Sequence, residues 1–140
     1  MRYQFEQCLK KGKIVKIPID SELVDKEFQE AENDLASAER SLEEGNAKWA
    51  IIQGYYAQFH ALRALVFGAG YREKSHTFLR YAVEALFVDE GILSAEVLEN
   101  FLYSMRIREG ADYGAVYSGV SANEVVTAAG ETVEIVRELL

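Results

Sequence analysis

Apolar residues recur at three- and four-residue intervals along most of this chain, and the intervals break at glycines. That period is the signature of amphipathic helices. The first helix is expected from about Ser21 to Glu44, with Phe28, Leu35, Ala38 and Leu42 on its apolar side and Gly45 as its stop. Asn46 can cap a second, which runs through Trp49, Ile52, Tyr56, Phe59, Leu62 and Val66 toward Gly68. Ser75 can cap a third, carrying Phe78, Leu79, Ala82, Val83, Leu86 and Phe87 before Gly91, and Ser94 a fourth, through Val97, Leu98, Phe101, Leu102 and Met105. Ser121 and Glu124 form an S-x-x-E capping box for a fifth, in which Val125, Ala128, Ala129, Val133, Val136 and Leu140 recur on one side. Ahead of them, KGKIVKIPID alternates charged and apolar residues around Pro18, which predicts an extended segment or short edge strand. Short connections make neighbouring helices antiparallel. The expected fold is all-α, an up-and-down bundle of four to five helices with a short extended N-terminal segment.

Composition narrows this further. At 140 residues, with 49% apolar and 27% charged side chains, the chain suits one soluble domain over residues 1–140. Residues 1–19 hold five basic side chains against one carboxylate, a net +4, which leaves −12 on the rest of the −8 chain. An acidic body argues against broad, non-specific nucleic-acid binding, which depends on phosphate neutralisation. The basic segment 1–19 is expected to be an extended, solvated arm. The single cysteine, Cys8, cannot form an intramolecular disulfide. No apolar run reaches the length of a membrane span, and MRYQFEQCLK is too polar for a signal peptide, so the expectation is a cytoplasmic protein without a membrane partner.

Candidate chemistry is sparse. Two histidines and one cysteine cannot supply a zinc or iron site, and neither H-E-x-x-H nor paired Glu-x-x-His motifs occur, so no metal and no cofactor are expected. GAG at 68–70 lacks the rest of a phosphate-binding loop, and no nucleophile elbow is present. Two clusters stand out. In YYAQFHALRALVFGAGYREKSH (55–76), Tyr56, His60 and Arg63 share one helical stripe, and both histidines, His60 and His76, fall within the segment. Trp49, Tyr55, Tyr56 and Phe59 suit bundle packing, and His60 suits a hydrogen-bonded core position. In SMRIREGADYG (104–114), the fourth helix should be ending or bending. If it continues, Arg108 and Asp112 form an i,i+4 pair worth a few tenths of a kcal/mol. Arginine at such a place is also suited to gripping a phosphate by two hydrogen bonds.

These segments, together with LRYAVEALFVDEGIL and in this order, closely resemble the HEPN family of helical domains from prokaryotes and higher eukaryotes. The likeness is to its small free-standing branch, whose genes often neighbour a minimal nucleotidyltransferase, and it extends to CLKKGKIVKI and SAERSLEEGNAKWAIIQ. The resemblance implies a homodimer in a toxin–antitoxin-like system, with that transferase as partner and nucleotide or RNA as ligand. It implies Arg63, Arg108, Asp112 and Tyr113 as nucleotide- or partner-binding residues, with Tyr55, Tyr56, His60, Ser75 and His76 as supporting signature positions. Ribonuclease members carry Arg-x4-6-His on a late helix, paired across the dimer for metal-independent RNA cleavage. Here no histidine follows Arg106 or Arg108. With Arg106 at the motif arginine, Ala111 occupies the histidine position; Arg108 instead gives the Arg-x3-Asp-Tyr arrangement of this branch and is preferred. Arg108 and Asp112 are therefore the candidate catalytic residues. A ribonuclease would need Asp112, Tyr113 or a remote histidine as its proton carrier. His60 and Arg63 are expected to brace Arg108 and Asp112 from a neighbouring helix. In relatives with Arg-x4-His-x-Tyr the transferase can adenylate the tyrosine, so the resemblance makes Tyr113, expected at a cleft rim, the candidate acceptor here; the alternative is that it packs against Tyr117 or a neighbouring helix and hydrogen-bonds Asp112. A non-catalytic dimeric scaffold is the remaining alternative.

Overall fold

The computed structural model describes residues 2–113 and 117–140, apart from the side chain of Tyr113. Among them are six α-helices and one two-stranded ribbon: α1 (Arg2–Lys10), β1 (Ile14–Lys16), α2 (Ser21–Glu43), α3 (Ala47–Gly68), β2 (Tyr71–Glu73), α4 (His76–Val83), α5 (Ala95–Tyr113) and α6 (Gly119–Leu139). A π-helical turn, Glu84–Val88, extends α4. The fold is all-α, as the periodicity predicts.

Helix α3 is the axis of the bundle. It is buried on nearly every side, from Ala50 and Ile51 through Tyr55, Phe59 and Leu62 to Val66. A helix apolar all round must be covered by others. Helices α2 and α6 pack most extensively against it, and α5 and α4 also touch it. On α2 the buried residues are Val24, Ala31 and Ala38, seven apart, a narrow stripe whose two alanines let the axes approach closely. On α6 they include Ala122, Val125, Ala129, Val133 and Val136. Asp20 accepts from Glu22 N at 3.0 Å to cap α2, and Asn46 accepts from Trp49 N at 3.4 Å to cap α3.

Four sequence expectations need correction. Residues 2–10 are not part of an extended solvated arm; they form α1, which buries Phe5 and Cys8 in the main core. Basic residues obscured an apolar pair spaced only three apart. The last helix is capped by Ser118, whose Oγ accepts from Ser121 N at 3.0 Å, and not by the Ser121–Glu124 box; Glu124 instead accepts from the Tyr103 hydroxyl at 2.8 Å. Helix α5 runs to Tyr113, inside the 104–114 segment where an end or bend is expected, but it passes through Gly110 without breaking, and Ala111 is buried in a second small core that includes Ala50, Ile51 and Ala122. Trp49 is half exposed and not a core residue. The extended reading of KGKIVKIPID does hold locally: β1 pairs antiparallel with β2, Val15 opposite Arg72. Gly70, at φ +87°, turns the chain from α3 into β2, and its carbonyl accepts from Ile17 N at 2.9 Å.

Candidate functional site

Two neighbouring polar clusters form against helix α3. The first lies against α5. Tyr55 is fully buried and stacks on Phe101, with ring centroids 5.5 Å apart and planes 14° from parallel. The Arg108 guanidinium lies over the Tyr55 ring at 4.8 Å and near Tyr56 at 5.9 Å, cation–π positions that hold it flat. Because α5 continues as a helix, Arg108 Nη1 also reaches Asp112 Oδ2 at 3.3 Å, the expected i,i+4 pair. Among the described residues, Arg108 Nε is buried with no hydrogen-bond partner, as is Oε1 of Gln58, whose Nε2 donates to Ser104 one turn before Arg108. Buried donors are nearly always satisfied, so an arginine fixed in place with donor capacity unspent is a functional signal.

The second cluster is a cleft of about 610 Å³ between the β-ribbon, α3 and the start of α4. Its polar lining is Arg63, Arg72, Glu73, Lys74, Ser75 and His76, with Val15, Ile17 and Phe59 as apolar wall. Glu73 is almost fully buried and receives Arg63 Nε at 2.9 Å. Burial pushes the Glu73 carboxyl above its usual range, against the opposing pull of Arg63. Arg63 Nη1 also lies 3.7 Å from Glu27. The Arg63 guanidinium is 4.8 Å and that of Arg72 5.6 Å from the same Phe67 ring, which brings two cations together.

His76 joins the clusters. Its ring lies 4.0 Å from Phe59, and its Nδ1 is 3.4 Å from the Tyr55 hydroxyl. Burial, together with Arg108, Arg63 and His60, holds the imidazole below its ordinary value, so the ring is neutral near pH 7. Burial pushes the Tyr55 phenol up, so it stays protonated and shares a hydrogen bond with Nδ1 of the neutral imidazole.

The sequence-predicted residues therefore divide. Arg108 and Asp112 meet on α5 beside Tyr55 and Tyr56, whereas Arg63, Ser75 and His76 line the cleft. His60 and Arg63 do not brace Arg108 and Asp112. His60 pairs with Glu27 through Nδ1 and lies 3.6 Å from Asp34 through Nε2, so this stripe faces α2 and β2 instead. The Tyr113 side chain, and with it the expectation of a cleft-rim position, lies outside the described residues. Sequence reasoning missed Arg72 and Lys74, whose only signal was their alternation in YREK, and missed that His76 and Arg108, 32 residues apart in sequence, both touch Tyr55. Among the described residues, no group of three or more His, Cys, Asp or Glu could hold a metal ion, and no helix is long and apolar enough to cross a membrane.

No curated protein shows a significant match to the chain. A family model described as HEPN domain matches residues 24–140.

Proposed function

Because the chain belongs to the HEPN family, we propose that it is the helical subunit of a toxin–antitoxin-like two-component system, a homodimer that binds or presents nucleotide to a minimal nucleotidyltransferase. The observation that carries this reading is Arg108, clamped on two tyrosine rings and Asp112 with its buried Nε unpaired. A prefixed guanidinium loses little freedom on engaging an incoming phosphate, which is what a nucleotide-handling surface requires. Tyr113 follows Asp112 directly in sequence and is the candidate adenylate acceptor.

The test is to identify a minimal nucleotidyltransferase gene neighbouring this one and co-express its product with the full chain, followed by co-purification and intact-mass measurement. The expected result is a stable complex with the wild-type chain, weakened by Arg108→Ala, and an adenylate-sized mass increase that disappears in Tyr113→Phe. Absence of both complex and modification refutes the two-component reading; modification that persists in Tyr113→Phe refutes the assignment of the acceptor.

One observation favours a second reading. His76 is a remote histidine beside Arg108, neutral near pH 7 and able to take a proton, the element a ribonuclease needs in place of the missing motif histidine. The leading reading expects the isolated chain to leave RNA intact in chelator. Cleavage that is lost in both Arg108→Ala and His76→Gln would assign the reaction to these two residues.

A further inference from the structure

The cleft between the β-ribbon and the start of α4 carries a charge opposite to that of the protein around it. The chain is acidic, with a formal net charge of −8. The cleft lining holds three permanent cations, Arg63, Arg72 and Lys74, against one carboxylate, Glu73. Glu73 is matched by Arg63 at 2.9 Å, and Glu27 stands 3.7 Å from the same guanidinium. Among the described residues neither Arg72 nor Lys74 makes an ion pair, although Arg72 is gathered onto the same Phe67 ring as Arg63. Cations concentrated on an acidic protein, in a concave site, focus the field on an anion.

The hydrogen-bonding groups point to the same ligand. His76 lines the cleft with its Nδ1 beside the Tyr55 hydroxyl at 3.4 Å, and wherever that hydroxyl donates, the ring's proton sits on Nε2 as a donor. Ser75 holds the N-cap position of α4 in extended backbone, but its hydroxyl makes no capping hydrogen bond. Beside these donors, the first-turn amides of α4 lack partners within the helix, except that Phe78 N reaches Ser75 O at 3.1 Å. Two cationic side chains, a hydroxyl and an imidazole N–H make a short, dense donor set, enough for one tetrahedral anion but not for a polyphosphate. At about 610 Å³ the cleft is far larger than a phosphate alone, and Val15, Ile17 and Phe59 supply an apolar wall for whatever the phosphate is attached to.

We propose that this cleft is a binding site for a terminal phosphate monoester, gripped by Arg72, Lys74, Ser75 and His76. The monoester is that of a mononucleotide or of a phosphorylated RNA end, which share the same chemistry. The inference is independent of the nucleotidyltransferase partner, since Arg72, Lys74 and Ser75 belong to the ribbon and the start of α4 rather than to α5, and all four gripping residues are present in the isolated chain.

The experiment uses the full chain alone. AMP, adenosine, and a short RNA with either a 5′-phosphate or a 5′-hydroxyl are titrated by calorimetry, while the His76 ring protons are followed by NMR. The expected result is binding of a phosphorylated probe tighter than about 1 mM, with displacement of the His76 resonances and no comparable effect from its unphosphorylated counterpart. AMP alone would identify a nucleotide as the source, and the 5′-phosphorylated strand alone an RNA end. Arg72→Ala/Lys74→Ala should weaken binding about tenfold or more, the equivalent of one charge-assisted hydrogen bond, with an unchanged thermal midpoint. Equal binding of phosphorylated and unphosphorylated probes, no binding of either, unmoved His76 resonances in the wild type, or undiminished affinity in the double variant would each overturn the proposal.

Discussion

Replacing Gly54 by alanine should destabilise this protein even though it improves the intrinsic helix propensity of α3. Gly54 lies on the face of α3 turned toward α6. A methyl group added there would stand 2.9 Å from Val125 Cγ1 and 3.5 Å from the Val125 carbonyl carbon and oxygen. Carbon–carbon contacts are optimal near 3.5–4.0 Å, so the first of these is repulsive. Val125 is fully buried, and its branched Cβ leaves one strongly preferred χ1 rotamer in a helix, so Cγ1 has little room to yield. The relief must come from separating α3 and α6, which loosens the contacts made by Ala122, Ala129 and Val133 as well. Overpacking of this kind costs about 1–3 kcal/mol, while Gly to Ala in a helix interior returns about 1 kcal/mol. The balance is a loss of about 1 kcal/mol. Gly130 on α6 supplies the control, because a methyl group there meets nothing within 4 Å. Gly130→Ala should therefore stabilise by about 0.5–1 kcal/mol through propensity alone. Urea unfolding of the wild type and both variants, followed by circular dichroism, measures the difference between two chemically identical changes. About 2 kcal/mol is expected between them. Equal midpoints for the two variants, or Gly54→Ala at or above the wild type, would refute the close approach of α3 and α6.

Three further outcomes can be measured. His76 is neutral in the fold and depressed from 6.5 by burial and nearby cations, so the unfolded chain takes up its proton first as the pH falls. Stability should decline below about pH 6.5 until the folded-state value is passed, and His76→Gln should flatten that part of the urea-midpoint profile; an identical profile in the variant would count against the assignment. Removing the Arg63 guanidinium leaves Glu73 a nearly buried carboxylate without its closest cation. Arg63→Met should thus cost about 3 kcal/mol at neutral pH, and the loss should shrink toward pH 4.5 and below as Glu73 takes up a proton; a loss independent of pH would show that packing against Phe67, rather than charge, was removed. Tyr117, Val120 and Trp49 are large apolar side chains about half or more exposed, near the ends of α6 and α3, which supports the expected homodimer; light scattering that finds only monomer at micromolar concentration would reject it.

The bundle was legible because its long helices obey one period and stop at glycine. Asn46, Gly45 and Gly68 mark their boundaries directly in sequence. Errors arose where short-range signals competed with packing. Arg2, Lys10 and Lys11 dominate the look of the N-terminal segment, yet the two side chains that decide its structure are Phe5 and Cys8, buried beside Leu79 and Val83. Gly110 lowers helix propensity by about 1 kcal/mol, which suggested a break in α5; the burial of Ala111 against α2 and α6 outweighs it. The S-x-x-E box at Ser121 failed for a related reason, since Ser118 offers an equivalent oxygen one turn earlier and Glu124 finds Tyr103 across the helix pair.

The candidate site was legible only residue by residue. A stripe such as Tyr56, His60 and Arg63 shows which side chains share a face, but not which helix that face meets. Here it meets α2 and β2, so the charges that surround His60 and Arg63 are Glu27, Asp34 and Glu73, none of which belongs to a recognisable motif. Arg108 shows the converse. Its neighbour Asp112 is fixed by helical spacing, but Tyr55 and His76 reach it only because α3 packs between α4 and α5. The missing motif histidine was sought downstream of Arg108, along the same helix. The histidine that shares Tyr55 with Arg108 lies upstream, at the first turn of another helix, beside a buried tyrosine that reads in sequence as ordinary core. Tyr55 is thus the residue through which the α5 surface and the ribbon cleft sense each other: its ring carries Arg108 and its hydroxyl holds the imidazole that lines the cleft. An anion drawn to His76 would raise the affinity of that ring for a proton, and a protonated Nδ1 must donate to Tyr55 rather than accept from it. The two clusters are therefore joined by one hydrogen bond, that between Tyr55 and His76.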